Sequence, residues 1–199
     1  TPTLHLALQK ARWPGRCQTV EVRSGVTLRL DGAHTPKSLE ACLGWYRQAA
    51  DNDASRVLVF NCSHERNPVP LLQQLHKEGF RSVYFCPADF ERPSGLGKPR
   101  ATELLDQAGF ATMNDRKDET TPTWQETLGE IWTHLDDGAV EAKSTAITCN
   151  LKVKEALDRI LSENNSAMDV LVAGSLYLVG SALDAVDWKE CDASGSLLS

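Results

Sequence analysis

Apolar residues recur along this chain in two rhythms. Short alternating or unbroken apolar runs, the period of an extended strand, fall at residues 18–22, 26–30, 56–60, 83–86, 145–148 and 169–173. Between them the spacing lengthens to that of a helix. Leu39, Cys42, Leu43, Tyr46 and Ala50 share one face of a helix predicted over 37–50, with Thr35 as N-cap and Pro36 at its first position. Pro68 opens a shorter helix with Leu71, Leu72 and Leu75 inward, and residues 101–108 read as helical with Gly109 closing them. Trp124, Leu128, Ile131, Trp132 and Leu135 mark a helix of about three turns. Asn150 is expected to cap a helix carrying Val153, Leu157, Ile160 and Leu161, and a last short helix follows Gly174 and Ser175.

Apolar strands alternating with amphipathic helices predict an α/β fold. Its three layers are a mostly parallel sheet with helices on both faces. The first two strands, turned by Ser24-Gly25, add an opening β-hairpin. In such sheets ligands gather beyond the carboxyl ends of the strands. Four loops qualify: 31–36, 61–67, the stretch after Cys86, and Gly174-Ser175. Pro87 to Arg100 reads as a surface loop or insertion, and 114–120 as a charged loop.

Composition narrows the classes. The 199 residues suffice for one sizeable domain, and 41% hydrophobic content is ordinary for a globular chain. With 21 basic against 27 acidic residues, the net charge of −6 argues against a nucleic-acid partner. No apolar run approaches the ~20 residues of a membrane span. The six cysteines form no C-x-x-C pair, so most are read as buried small hydrophobes in a reducing compartment. The chain starts at Thr1 rather than Met, as in a fragment or a processed product, and shows no signal-peptide pattern.

The candidate chemistry sits at strand ends and turns. Asp31 follows an apolar strand, where a carboxylate can accept ribose hydroxyls, hold a metal or water, or simply brace a turn. His34 lies one residue before a helix cap, within reach of an anion at that helix terminus, or is held by backbone as a turn residue. Arg16, after Pro14-Gly15, can grip phosphate or carboxylate bidentately or face solvent. Trp13 reads as interdomain or core packing. Ser175 begins a helix, where its hydroxyl suits a carboxylate or phosphate or serves as a plain N-cap. The charged loop His64-Glu65-Arg66 reads as solvated. Gly95-Leu96-Gly97-Lys98-Pro99 lacks the spacing of a phosphate loop, and no nucleophile elbow or metal-ligand motif appears.

Taken together, Trp13-Pro14-Gly15-Arg16-Cys17-Gln18, Leu30-Asp31-Gly32-Ala33-His34-Thr35 and Gly174-Ser175-Leu176-Tyr177-Leu178-Val179-Gly180 resemble the C-terminal domain of folylpolyglutamate synthases. Cys42-x-x-Trp45-Tyr46 and the Phe60-Asn61 to Pro68 stretch resemble the eukaryotic branch, and the likeness spans about residues 10–183. The Asp-Gly-Ala-His element is shared more widely with the Mur ligase superfamily. The resemblance implies a Rossmann-like Mur ligase C-terminal fold and an ATP-dependent ligase adding L-glutamate to the γ-carboxylate of folate or tetrahydrofolate through an acyl phosphate. It implies that Arg16 and Asp31 bind the nucleotide, that His34 lies at the reacting phosphate as the catalytic residue, and that Ser175 helps place glutamate. It further implies ATP and Mg2+, with a monovalent cation as a possible addition, and folate polyglutamates and L-glutamate as partners of a cytoplasmic or mitochondrial monomer.

The phosphate loop and magnesium ligands of such enzymes lie in an N-terminal ATP-binding domain, of which these residues show nothing. Residues 1–12 are accordingly expected to be a linker from it, 13–186 the domain itself and 187–199 a flexible tail, the whole being inactive alone. Relatives commonly show Gly-Asp-Arg-Asp where this chain has His64-Glu65-Arg66-Asn67. Dihydrofolate synthase, another Mur-type amide ligase domain and a non-catalytic nucleotide-binding module stand as the alternative functions.

Overall fold

The structure is a computed structural model that describes residues 13–51, 53–88, 99–110, 122–138, 145–163 and 167–189. The expected linker, both charged loop segments around 89–98 and 111–121, and the end of the tail lie outside the described residues.

Strands β1 (Gln18–Arg23), β2 (Val26–Asp31), β3 (Ser55–Phe60), β4 (Ser82–Phe85), β5 (Ala146–Cys149) and β6 (Met168–Ala173) form one sheet in the order β1-β2-β6-β3-β4-β5. Among the described residues only the β1–β2 hairpin pairing is antiparallel. β6, latest in sequence, lies between β2 and β3. The parallel strands finish level with one another: Asp31 and Phe60 both pair with Ala173, Phe60 pairs with Phe85, and Phe85 with Cys149. The loops that follow them therefore leave from a single edge.

Side-chain alternation divides the sheet residues between two cores. Leu58, Phe60, Val83, Phe85 and Leu171 pack beneath helices α1 (Pro36–Ala49), α2 (Val69–His76), α3 (Ala101–Gln107) and α4 (Trp124–Asp137). Leu28, Leu30, Val57, Val59, Val170 and Val172 pack against α5 (Val153–Ser162) and α6 (Leu176–Ala185). The helical stripes expected from spacing are the buried ones: Leu39, Cys42, Leu43 and Tyr46 in α1, and Val153, Ala156, Leu157 and Ile160 in α5. Burying each such aliphatic side chain is worth about 1.5–3 kcal/mol.

Helix ends follow local chemistry. Thr35 caps α1: its hydroxyl accepts from the Ser38 amide while the Ser38 hydroxyl accepts from the Thr35 amide, a reciprocal box. Gly109, at φ +84°, turns the chain out of α3. Asn150 does not cap α5; Lys152 holds that position. Asn150 sits in left-handed backbone at φ +67°. Its side chain instead accepts from the Thr123 hydroxyl at 2.8 Å and donates to Glu126 at 3.0 Å, bracing the start of α4. An Asn tolerates that backbone because its short amide can bond locally.

One polar cluster lies inside the fold. Arg29 of β2 grips Asp169 of β6 through Nε (3.1 Å) and Nη2 (3.0 Å), and the Asp51 amide donates to the same carboxylate at 3.2 Å.

Candidate functional site

The level edge of the sheet is where the candidate residues meet. Asp31 is the last residue of β2 and is only 5% exposed. The turn of residues 13–17 folds down onto it. The Arg16 amide donates to Trp13 O (3.0 Å), the Gly15 amide to the Gln18 side chain (2.8 Å), and the Gly32 amide to Gly15 O (2.9 Å). Left-handed backbone at Gly15 (φ +75°) and Cys17 (φ +44°) bends this turn. Arg16 Nη1 then reaches Asp31 Oδ1 at 3.2 Å, and the Cys17 amide donates to Oδ2 at 2.9 Å. Arg16 keeps 39% of its side chain exposed while Nη1 holds Asp31.

Two glycines let the neighbouring loops close up. A Cβ on Gly32 would lie 2.5 Å from Leu176 Cδ2, and one on Gly174 (φ +102°) 2.2 Å from the Asn61 carbonyl. The loops after β2, β3 and β6 are thus packed against one another through backbone.

His34 stands at the mouth of this edge, exposed, with Nδ1 2.9 Å from the Gly32 carbonyl. A carbonyl only accepts, so in the neutral ring Nδ1 carries the proton and Nε2 is left as the acceptor. The loop after β3 faces His34 across a cleft of about 140 Å3 lined by Ser63, Glu65, Arg66 and Asn67. That loop is pinned. Trp124 Nε1 donates to Cys62 O (2.6 Å), Asn67 Nδ2 donates to Leu104 O (2.8 Å), and Asn67 Oδ1 accepts from the Val69 amide (2.9 Å). Arg66 is exposed, as a solvated charge is expected to be, and lines this cleft together with His34 and Glu65. Its place beside His34 depends on contacts with helices far along the chain, and no local pattern signals that.

Ser175 has the simpler of its two candidate roles in this geometry: its hydroxyl caps α6 by accepting from the Tyr177 amide at 3.2 Å. Its O–H remains a donor. No hydrogen bond joins Ser175 to Asp31 or His34. Trp13 is 75% exposed, which removes the core-packing reading; Leu176 and Tyr177 are exposed as well.

Cys42, Cys62 and Cys86 are buried as expected, Cys149 is half-buried, and Cys17 is the exposed one. Partial burial and the hydrogen bond to Asp31 push the Cys17 thiol up to about 11, so at neutral pH it is an S–H donor. Among the described residues no group of three or more His, Cys, Asp or Glu side chains is placed to hold a metal. Magnesium has no fitting ligand set in them. Also among them, no helix is long and apolar enough to cross a membrane.

This α/β fold is shared with solved folylpolyglutamate synthases. The bifunctional folylpolyglutamate synthase/dihydrofolate synthase of Yersinia pestis superposes with a TM-score of 0.58 at 20% identity, covering 94% of this chain and 34% of that one. E. coli FolC in complex with DHPP and ADP gives 0.55 at 21%, covering 89% and 32%. The dihydrofolate synthetase C-terminal domain family matches residues 18–185, and the chain belongs to that family. The putative folylpolyglutamate synthase of Caenorhabditis elegans is 31% identical over 183 residues, 89% of this chain and 34% of that protein. The human mitochondrial folylpolyglutamate synthase is 34% identical over 145 residues, 68% and 23% respectively. The chain thus spans about a third or less of these relatives' length.

Proposed function

We propose that this chain is the C-terminal domain, at residues 13–186, of an ATP-dependent ligase that lengthens folates by L-glutamate, following a linker at 1–12 and preceding a short tail. The observation that carries this reading is the buried Asp31 carboxylate, paired with Arg16 at the carboxyl edge of a sheet whose family match runs over residues 18–185.

In this reading Asp31 accepts the ribose hydroxyls of ATP, and Arg16 turns its free guanidinium face to the phosphates. The phosphoryl group passes from ATP to the γ-carboxylate of the folate tail. The glutamate amine then attacks the acyl carbon, a C–N bond forms, and phosphate leaves. His34 lies beside the reacting phosphate; with Nδ1 held by the Gly32 carbonyl, it is in the imidazolium form that Nε2–H donates to developing negative charge. Ser175 and the α6 terminus help place the incoming glutamate. Solved relatives hold ADP, and in one case AMPPNP with a Mn ion, which supports nucleotide and divalent metal in the whole enzyme. The mitochondrial names of the human and bovine relatives support a mitochondrial or cytoplasmic setting.

The test supplies the full-length protein with tetrahydrofolate, MgATP and labelled glutamate. One glutamate joins per ADP released, and the 199-residue chain alone makes no product. Folate-dependent ADP release by the isolated chain would sink the requirement for a second domain. The family description also names dihydrofolate synthesis, so dihydropteroate is offered as a competing acceptor; its preferential use would replace folate elongation by that activity.

A further inference from the structure

We infer that Cys17 is a positioning residue that fixes the plane of the Asp31 carboxylate for the nucleotide. The inference rests on the nucleotide reading of Asp31 given above.

Three observations converge on Cys17. First, its backbone lies at φ +44°, a region that L side chains disfavour. A glycine would sit there freely, yet a cysteine does. That backbone aims the Cys17 amide at Asp31 Oδ2, 2.9 Å away. Second, Sγ lies 3.4 Å from the same oxygen, so Oδ2 takes two donors from one residue while Arg16 holds Oδ1. A carboxylate pinned at both oxygens cannot rotate about its terminal bond, and its remaining lone pairs keep a fixed direction. Third, Cys17 is exposed whereas Cys42, Cys62 and Cys86 are buried. Packing, the usual reason for a free cysteine, does not account for it. The thiol remains protonated at neutral pH, as a donor must, because partial burial disfavours the thiolate and the hydrogen bond to Asp31 holds the proton.

The contribution belongs to ground-state binding of the nucleotide. Removing one weak donor should cost about fivefold in affinity. Cys17→Ala removes the donor without placing a β-branch at φ +44°, while Cys17→Ser restores a stronger one. In the full-length enzyme, ADP affinity is measured by calorimetry, KM and kcat for ATP by steady-state kinetics, and the melting midpoint by fluorescence. Cys17→Ala should weaken ADP and raise KM for ATP about fivefold, with the change falling on KM rather than kcat and no drop in midpoint. Cys17→Ser should recover the affinity.

Unchanged ADP affinity in Cys17→Ala overturns the inference. So does a Cys17→Ser variant as weak as Cys17→Ala, or a loss of affinity that tracks a lowered midpoint. Asp31→Ala is the reference. If it weakens ADP while Cys17→Ala does not, only the Cys17 inference fails. If Asp31→Ala leaves ADP affinity unchanged, the nucleotide reading falls, and the Cys17 role with it.

Discussion

Strand β2 carries two Arg–Asp pairs, and they are built differently. Arg29 and Asp169 are 11% and 1% exposed at the side chain, joined by three charge-assisted contacts, and Asp169 also accepts the Asp51 amide. Arg16 and Asp31 are 39% and 8% exposed and joined by one contact at 3.2 Å. In the first pair both partners are spent on each other and on the fold. In the second, a buried carboxylate faces an arginine that is mostly free to bind something else. Equal residue types on one strand thus separate into a structural clamp and a binding pair through burial and the number of bonds satisfied.

The contrast is broken most severely at Asp31. Asp31→Ala in the full-length enzyme should lower glutamate ligation by about a thousandfold, on the order of 4 kcal/mol. Arg16 can turn to water, so the melting midpoint should hardly move. A near-normal rate would remove Asp31 from the site. Asp169→Asn should do the reverse: about 3 kcal/mol of stability lost, because Arg29 stays buried without its counter-charge, read as a shifted urea midpoint. Cys17 sharpens the pair from the other side. Its thiol pKa is raised to about 11, so the reactive thiolate is scarce at neutral pH and increases as pH rises through that value. At pH 8 its alkylation, mapped by mass spectrometry, should be on the order of 100-fold slower than that of an ordinary thiol. The smallest effect is expected at Thr35. Thr35→Ala loses half of the capping box beside His34 and should cost about 1 kcal/mol by urea unfolding.

The strands and helices are legible in the sequence because each is a local rhythm; 26–30 and 37–50, for example, fall within a residue of β2 and α1. The strand order is not legible, because parallel pairing joins residues such as Leu30 and Val172 that lie far apart in the chain. Asn150 was misread as a cap for α5 for a related reason: its partners, Thr123 and Glu126, belong to the preceding helix. Arg16 and Asp31 are individually ordinary residues, and family likeness rather than spacing singled them out. The geometry then places them in contact across the hairpin. Arg66 reads as solvated and is exposed, and the structure adds that it and His34 line one cleft.

The central place of β6 also governs how the domain is made. Before Met168–Ala173 emerges from the ribosome, β1–β2 and β3–β4–β5 are two half-sheets with no hydrogen bonds between them. The strand that joins them is synthesised after both and must thread between edges that have waited for it. Closure of the sheet is therefore delayed until β6 has been made, with two unpaired parallel edges exposed to neighbouring chains until then. A premature stop before Met168 would leave no half that folds by itself. Nascent chains of this domain should for that reason depend on chaperones that cover open strand edges.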